Sequence, residues 1–180
     1  MAVYFSSSNA QKSVFVAHCF AGSASPPSWL QQDVAEILSP DLDTIMRAKA
    51  MAAYRQALVP LFVEHGGLYI DHLNGLPGPL VKPFWEKLEG KICELIPAGA
   101  SRRAHVVQKV CYCDGKALRT FEGRVEGVIA PEPRGSALHW EPVFIPDGFT
   151  ETLGEMTPDQ KLRCSGTAKA CAELRSYLAI

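Results

Sequence analysis

Strand-like segments that alternate with helix-like ones, followed by one long hairpin signal, predict a mixed α/β (α+β) fold in which helices flank a mixed β-sheet. Short apolar runs such as residues 61–63 stand between one-sided helical patterns, and Asp114-Gly115 joins two strand-like stretches at residues 104–113 and 117–130. At 180 residues and 47% hydrophobic content the chain can bury one substantial core. No linker long enough to separate independent domains interrupts it, so residues 1–180 are expected to form a single domain, or two lobes sharing a sheet.

Residues 2–5 read as the first strand. The polar turn Ser6-Ser7-Ser8-Asn9 then leads into a helix through about Cys19, with Ser8 or Asn9 as N-cap. Ser25-Pro26-Pro27-Ser28 marks a loop, and residues 34–38 are expected to be a second strand. Residues 43–58 follow as a helix with an apolar face of Ile45, Ala48, Met51, Ala52 and Tyr54, capped by Asp41 or Asp43. The run at 61–63 suits a buried strand that ends on Glu64-His65 before Gly66-Gly67. A helix over about 81–96 precedes the hairpin. Prolines and glycines from Pro131 to Gly148 then make loops, and a last helix runs over 158–178 with Thr157 as cap.

The formal net charge is -1, from 18 basic and 19 acidic residues, so no global field favours nucleic acid and phosphate binding has to come from local groups. The six cysteines show no metal-ligand spacing with histidines and read as reduced thiols, with Cys111 and Cys113 on one strand face. The apolar run from Val14 is short and carries His18, which argues against a secretory signal; no run reaches membrane-spanning length. A cytoplasmic protein without membrane or nucleic-acid partners is expected.

Two segments carry the chemical signal. Ser7-Ser8-Asn9-Ala10-Gln11-Lys12 puts a serine-rich turn, a helix N-terminus and a lysine together, an arrangement that attracts phosphate through exposed N–H groups, the helix dipole and a point charge. It is not a Walker A loop, because the Gly-x-x-x-x-Gly-Lys-Ser/Thr pattern is absent. The second segment, Leu61-Phe62-Val63-Glu64-His65-Gly66-Gly67-Leu68, runs into Gly75-Leu76-Pro77-Gly78-Pro79-Leu80-Val81-Lys82. Together with Phe121-Glu122-Gly123-Arg124-Val125-Glu126-Gly127-Val128-Ile129, these stretches resemble the inosine triphosphate pyrophosphatase family over nearly the whole chain.

The resemblance implies an elongated mixed sheet in two lobes with a central nucleotide cleft, a homodimer, and metal-dependent cleavage of a nucleoside triphosphate to monophosphate and pyrophosphate. It assigns Ser7, Asn9, Lys12, Lys49, Lys82 and Lys161 to the substrate and Glu36 and Glu64 to a cation, Mg²⁺ or Mn²⁺, which carboxylates, phosphate oxygens and water can hold together. Glu64, His65 and Lys12 are the candidate catalytic residues. His65 stands where the family has aspartate. Neutral imidazole is a poor magnesium ligand, which leaves three readings: an alternative base, a site for a softer metal, or a site without catalysis.

The base-binding end departs too. The family's Phe-Gly-Trp/Tyr-Asp-Pro-x-Phe is Leu138-His139-Trp140-Glu141-Pro142-Val143-Phe144 here, with Trp140 as an aromatic face and Glu141 as an acceptor. The family's Ser-His-Arg is Ser165-Gly166-Thr167. A pocket that loses buried hydrogen-bonding partners changes its base choice. The expected function is therefore pyrophosphatase action on a nucleoside triphosphate with altered base preference. Its rivals are a catalytically silent nucleotide- or protein-binding homodimer, and hydrolysis of another phosphoanhydride.

Overall fold

The computed structural model describes residues 2–180 apart from Ala137 and Leu138, so the expected loop residue Leu138 lies outside the described residues. In chain order the elements are β1 (Tyr4–Ser6), α1 (Ala10–Cys19), β2 (Ser28–Leu30), α2 (Leu42–Ala57), β3 (Leu61–Ile70), β4 (Pro77–Gly78) and α3 (Val81–Leu88). There follow β5 (Arg103–Cys113), β6 (Leu118–Ile129), β7 (Phe144–Pro146), α4 (Pro158–Cys164) and α5 (Gly166–Leu178). The strands form one seven-stranded sheet in the order β2-β1-β3-β5-β6-β7, with β4 beside β3. β1 runs parallel to β2 and β3, whereas β4 is antiparallel to β3 and β7 to β6, which makes the mixed sheet that the pattern predicts.

Local chemistry explains most boundaries. Asn9 caps α1, its side chain accepting the Lys12 N–H at 3.1 Å. Asp41 caps α2 by accepting the N–H groups of Asp43 and Thr44, and Leu58 closes that helix in the left-handed region at φ 53°. The hairpin turns where Asp114 accepts the N–H groups of Lys116 at 2.9 Å and Ala117 at 2.7 Å, with Gly115 at φ 85°.

Five expectations are corrected. Residues 34–38 form no strand; the second strand is Ser28–Leu30, and an extended segment follows it. Glu64 and His65 lie in mid-strand, because β3 continues through Gly66-Gly67. A Cβ on Gly67 would stand 2.8 Å from the backbone of Gly78 and Pro79, so the glycine is there to admit β4. The helix from Val81 ends at Leu88, where Glu89 takes φ 47°, and gives way to a 3-10 turn over Glu89–Leu95. The last helix is two helices, because extended Ser165 breaks it and starts α5 as N-cap. In α2 the inward face is Leu42, Ile45, Met46, Ala50 and Ala53, a rotation that leaves Met51 exposed and makes Lys49 a flanking residue.

The chain forms two compact units, residues 1–65, 108–123 and 165–180 in one and residues 66–107 and 124–164 in the other. The first has a core of Phe5, Val16, Phe20, Phe62, Val110, Tyr112, Ala170, Cys171 and Leu174. The second packs Leu68, Ile70, Ile92, Val106, Ile129, Trp140, Val143 and Phe144 among others. Phe62 is fully buried and its ring centroid lies 5.2 Å from that of Phe5 and 5.7 Å from that of Phe20. Replacing Phe62 by Ala is expected to cost about 3–5 kcal/mol, read as a lower midpoint in urea unfolding.

Candidate active site

The turn between β1 and α1 is built on its own side chains. The Ser7 hydroxyl accepts the Asn9 N–H at 3.1 Å, and the Ser7 carbonyl accepts the indole N–H of Trp29 at 2.8 Å. Of the first four amides of α1, Asn9 takes those of Lys12 and Ser13. Those of Ala10 and Gln11 have no partner among the described residues and point where an anion at the helix start would lie.

Lys12, on the first turn of α1, reaches across to β3, where its ammonium lies 2.5 Å from Oε2 of Glu64. That carboxylate is 5% exposed against 28% for the lysine. From α2, Lys49 pairs with Glu36 and also donates to the Glu64 carbonyl at 3.1 Å. His65 Nδ1 lies 3.7 Å from Oε2 of Glu36. Five residues named from the sequence, Lys12, Glu36, Lys49, Glu64 and His65, thus form one cluster of alternating charge within the first unit.

Burial and charge oppose one another here. Burial pushes the Glu64 carboxyl up, but the ammonium groups of Lys12 and Lys49 outweigh it and hold the group ionised below its ordinary value. Glu36 follows the same balance, with Lys49 as its main counter-charge. Lys49 is lowered by burial and then by the charge of Lys12. His65 is lowered from 6.5, by burial first and Lys49 second, so the imidazole is neutral at pH 7.

Glu36 stands on no strand, so something else has to hold it. Gln32 does this: its Oε1 accepts the Ser6 hydroxyl at 2.8 Å, while its Nε2 donates to the Ala53 carbonyl at 3.2 Å and to Gln56 at 2.7 Å. Val34, buried beside it, adds an apolar anchor to the segment. Sequence reasoning missed Gln32, because its partners lie 21 to 26 residues away and leave no local spacing to read.

The remaining candidates divide between the units. In the first, Ser165 caps α5 and Thr167 donates its N–H to Oε1 of Gln108 at 3.1 Å. A Cβ on Gly166 would fall 2.5 Å from the Gly123 carbonyl oxygen and 3.0 Å from Gln108 Oε1. This backbone therefore has no room for the histidine that the resemblance would place there. Gln108 was also missed, since it stands beside Lys109 in a strand that carries other polar residues and nothing local marks it out. In the second unit Lys161 is 2.5 Å from Glu141, Lys82 is exposed on the first turn of α3, and the Trp140 ring is buried edge-on against Phe144 at 6.1 Å. That burial commits the indole to the core of its own unit.

With this geometry in place, the likenesses to known proteins become informative. The model of the Ham1 family matches residues 3–177. The chain belongs to the Ham1 family. It is 34% identical to the dITP/XTP pyrophosphatase of Korarchaeum cryptofilum over 151 residues, which is 83% of this chain and 82% of that protein. It is 37% identical to inosine triphosphate pyrophosphatase 2 of Trypanosoma cruzi over 152 residues, 82% of this chain and 78% of that one. The fold is that of a Ham1 protein from Coxiella burnetii, with a TM-score of 0.84 at 22% identity over 99% of both chains. The resemblance read from the sequence is thereby borne out at the level of family and fold.

Three expectations follow for this Ham1 chain. Lys12→Met leaves the Glu64 charge buried without its main partner and should cost about 3 kcal/mol of unfolding free energy in urea. Folded His65 binds its proton less readily than the unfolded chain, so stability should begin to fall as pH drops below 6.5; Glu36 and Glu64, lowered from 4.5, steepen the fall below that value. His65→Asn should shrink the first limb, leaving the part due to His105, which burial also lowers from 6.5, and keep the second. Gly166→His should destabilise by about 1–3 kcal/mol.

Proposed function

We propose that the protein hydrolyses a nucleoside triphosphate to the monophosphate and pyrophosphate, with a base preference changed from that of its relatives. The observation that carries this reading is the buried cluster in which Lys12 and Lys49 face Glu64 and Glu36 beside a neutral imidazole. The names of the relatives support the reaction class, since those proteins are described as dITP/XTP and inosine triphosphate pyrophosphatases.

Phosphate oxygens are stronger partners for an ammonium group than a carboxylate that also has to be kept buried. A triphosphate at the N-terminus of α1 meets the Ala10 and Gln11 N–H groups, then takes Lys12 and Lys49 from their carboxylates. Glu64 and Glu36 are then two ionised carboxylates without counter-ions. Such a donor set fits Mg²⁺ or Mn²⁺, which Glu64 and Glu36 would hold together with phosphate oxygens and water. Held there, the cation supplies Lewis-acid charge to the phosphoryl oxygens.

His65 acts as the base. It is neutral at pH 7, lowered by burial and then by Lys49, and so is in the form that can accept a proton. Water gives its proton to the imidazole, its oxygen attacks the α-phosphorus, and pyrophosphate leaves with the lysines balancing its charge. The close approach of Gly123 and Gly166, which leaves no room for the family's histidine, supports a base choice different from the family pattern. The resemblance supports a homodimer in the cytoplasm; among the described residues, no helix is long and apolar enough to cross a membrane.

A panel of standard, deaminated and modified triphosphates, assayed for pyrophosphate with Mg²⁺ and with Mn²⁺ at pH 7 to 9, tests the reading. At least one triphosphate should turn over, and Glu64→Gln should lower kcat/KM by roughly 100-fold or more. Absence of pyrophosphate from every substrate with either cation would overturn it. Tight binding without turnover, rescued by His65→Asp, would instead mark a silent nucleotide binder.

A further inference from the structure

Six cysteines take no part in the chemistry above, and the fold brings two of them together. Cys19 is the last residue of α1 and Cys171 lies within α5, two helices that pack on each other in the first unit. Cys171 is fully buried in that unit's core, and the half-buried Cys19 packs against the same cluster. Cys171 thus belongs to the cluster against which Cys19 packs, and Cys19 is the neighbour that, with burial, holds the Cys171 thiol well above its ordinary pKa. The other cysteines are placed differently. The Thr120 hydroxyl donates to Cys111 Sγ at 3.5 Å, and Cys164 Sγ lies 3.6 Å from Met156 Sδ. Cys113 sits two residues from Cys111 on one strand, and Cys93 is buried in the other unit.

We infer that Cys19 and Cys171 are a modification site, closing to a reversible intramolecular disulfide when the protein meets a hydroperoxide. Position divides the roles. Solvent reaches Cys19 and not Cys171, and Cys171 keeps its proton, raised by its neighbour Cys19 and by burial. The Cys19 sulfur attacks the hydroperoxide, ROOH, breaking the O–O bond to give a sulfenic acid and releasing ROH. The Cys171 sulfur then attacks the sulfenic sulfur, the S–S bond forms, and water departs with the hydroxyl and the Cys171 proton. Two thiols have lost two hydrogen atoms and the peroxide has been reduced to alcohol and water. A thiol reductant restores the pair. The bond would tie the helix whose first turn carries Lys12 to the helix whose first turn carries Thr167.

The test uses the full reduced chain. After exposure to hydrogen peroxide, free thiols are alkylated in denaturant, the intact mass is measured, and the peptides are mapped without reduction. The expected result is loss of two of the six alkylatable thiols, a peptide pair joined through Cys19 and Cys171, and full recovery with dithiothreitol. In Cys171→Ala the oxidised Cys19 should instead accumulate as a sulfenic acid trapped by dimedone. Six alkylatable thiols after oxidation, or thiol loss with no Cys19–Cys171 peptide pair in the unaltered protein, would overturn the inference.

Discussion

An ionised carboxylate inside a protein is costly unless it is paired, and the first unit is organised around one such charge, that of Glu64. Lys12 from α1 supplies its counter-ion and Lys49 from α2 holds its carbonyl. Three elements and one irregular segment therefore have to arrive together. β3 brings the acid, the capped start of α1 brings one lysine, α2 brings the other, and Gln32 and Val34 fix the stretch that carries Glu36. Replacing this network by apolar residues of similar size would leave stability little changed. Its retention makes sense if the charges are there to be exchanged with a ligand.

That exchange gives the site its economy. Each lysine is already oriented by a carboxylate, so a triphosphate meets positioned cations rather than flexible side chains in water. Each carboxylate, once released, is a positioned ligand for a hard cation. His65 fits the same logic. Aspartate at its place would add a further negative charge to the pair of glutamates, whereas a neutral imidazole leaves the cluster balanced.

Much of this was legible in the sequence, for identifiable reasons. Asn9 and Lys12 could be read because capping and helix-start chemistry are local, and Glu64-His65 because a carboxylate and an imidazole that close an apolar run before two glycines are conspicuous. The hairpin was legible through Asp114-Gly115. What could not be read depends on distant partners. The short β2 exists because Ser28 to Leu30 lie against β1, and the break at Ser165 because Gly166 has to pass the backbone of Gly123. β3 runs on through its glycines because β4 packs against Gly67. Gln32 and Gln108 acquire their roles from residues remote in the chain. Periodicity located the α2 helix but rotated its face, since alanines gave little contrast between its sides.

The central claim is that phosphate and cation compete for, and then share, one set of charges. Calorimetric binding of a non-hydrolysable triphosphate analogue, with and without Mn²⁺ and in Glu64→Gln beside the unaltered protein, measures it most directly. The account predicts that the cation tightens binding by about 10-fold or more, a coupling of about 1.4 kcal/mol, and that Glu64→Gln abolishes the gain. Equal affinity with and without the cation in the unaltered protein, or a gain that survives Glu64→Gln, would contradict it.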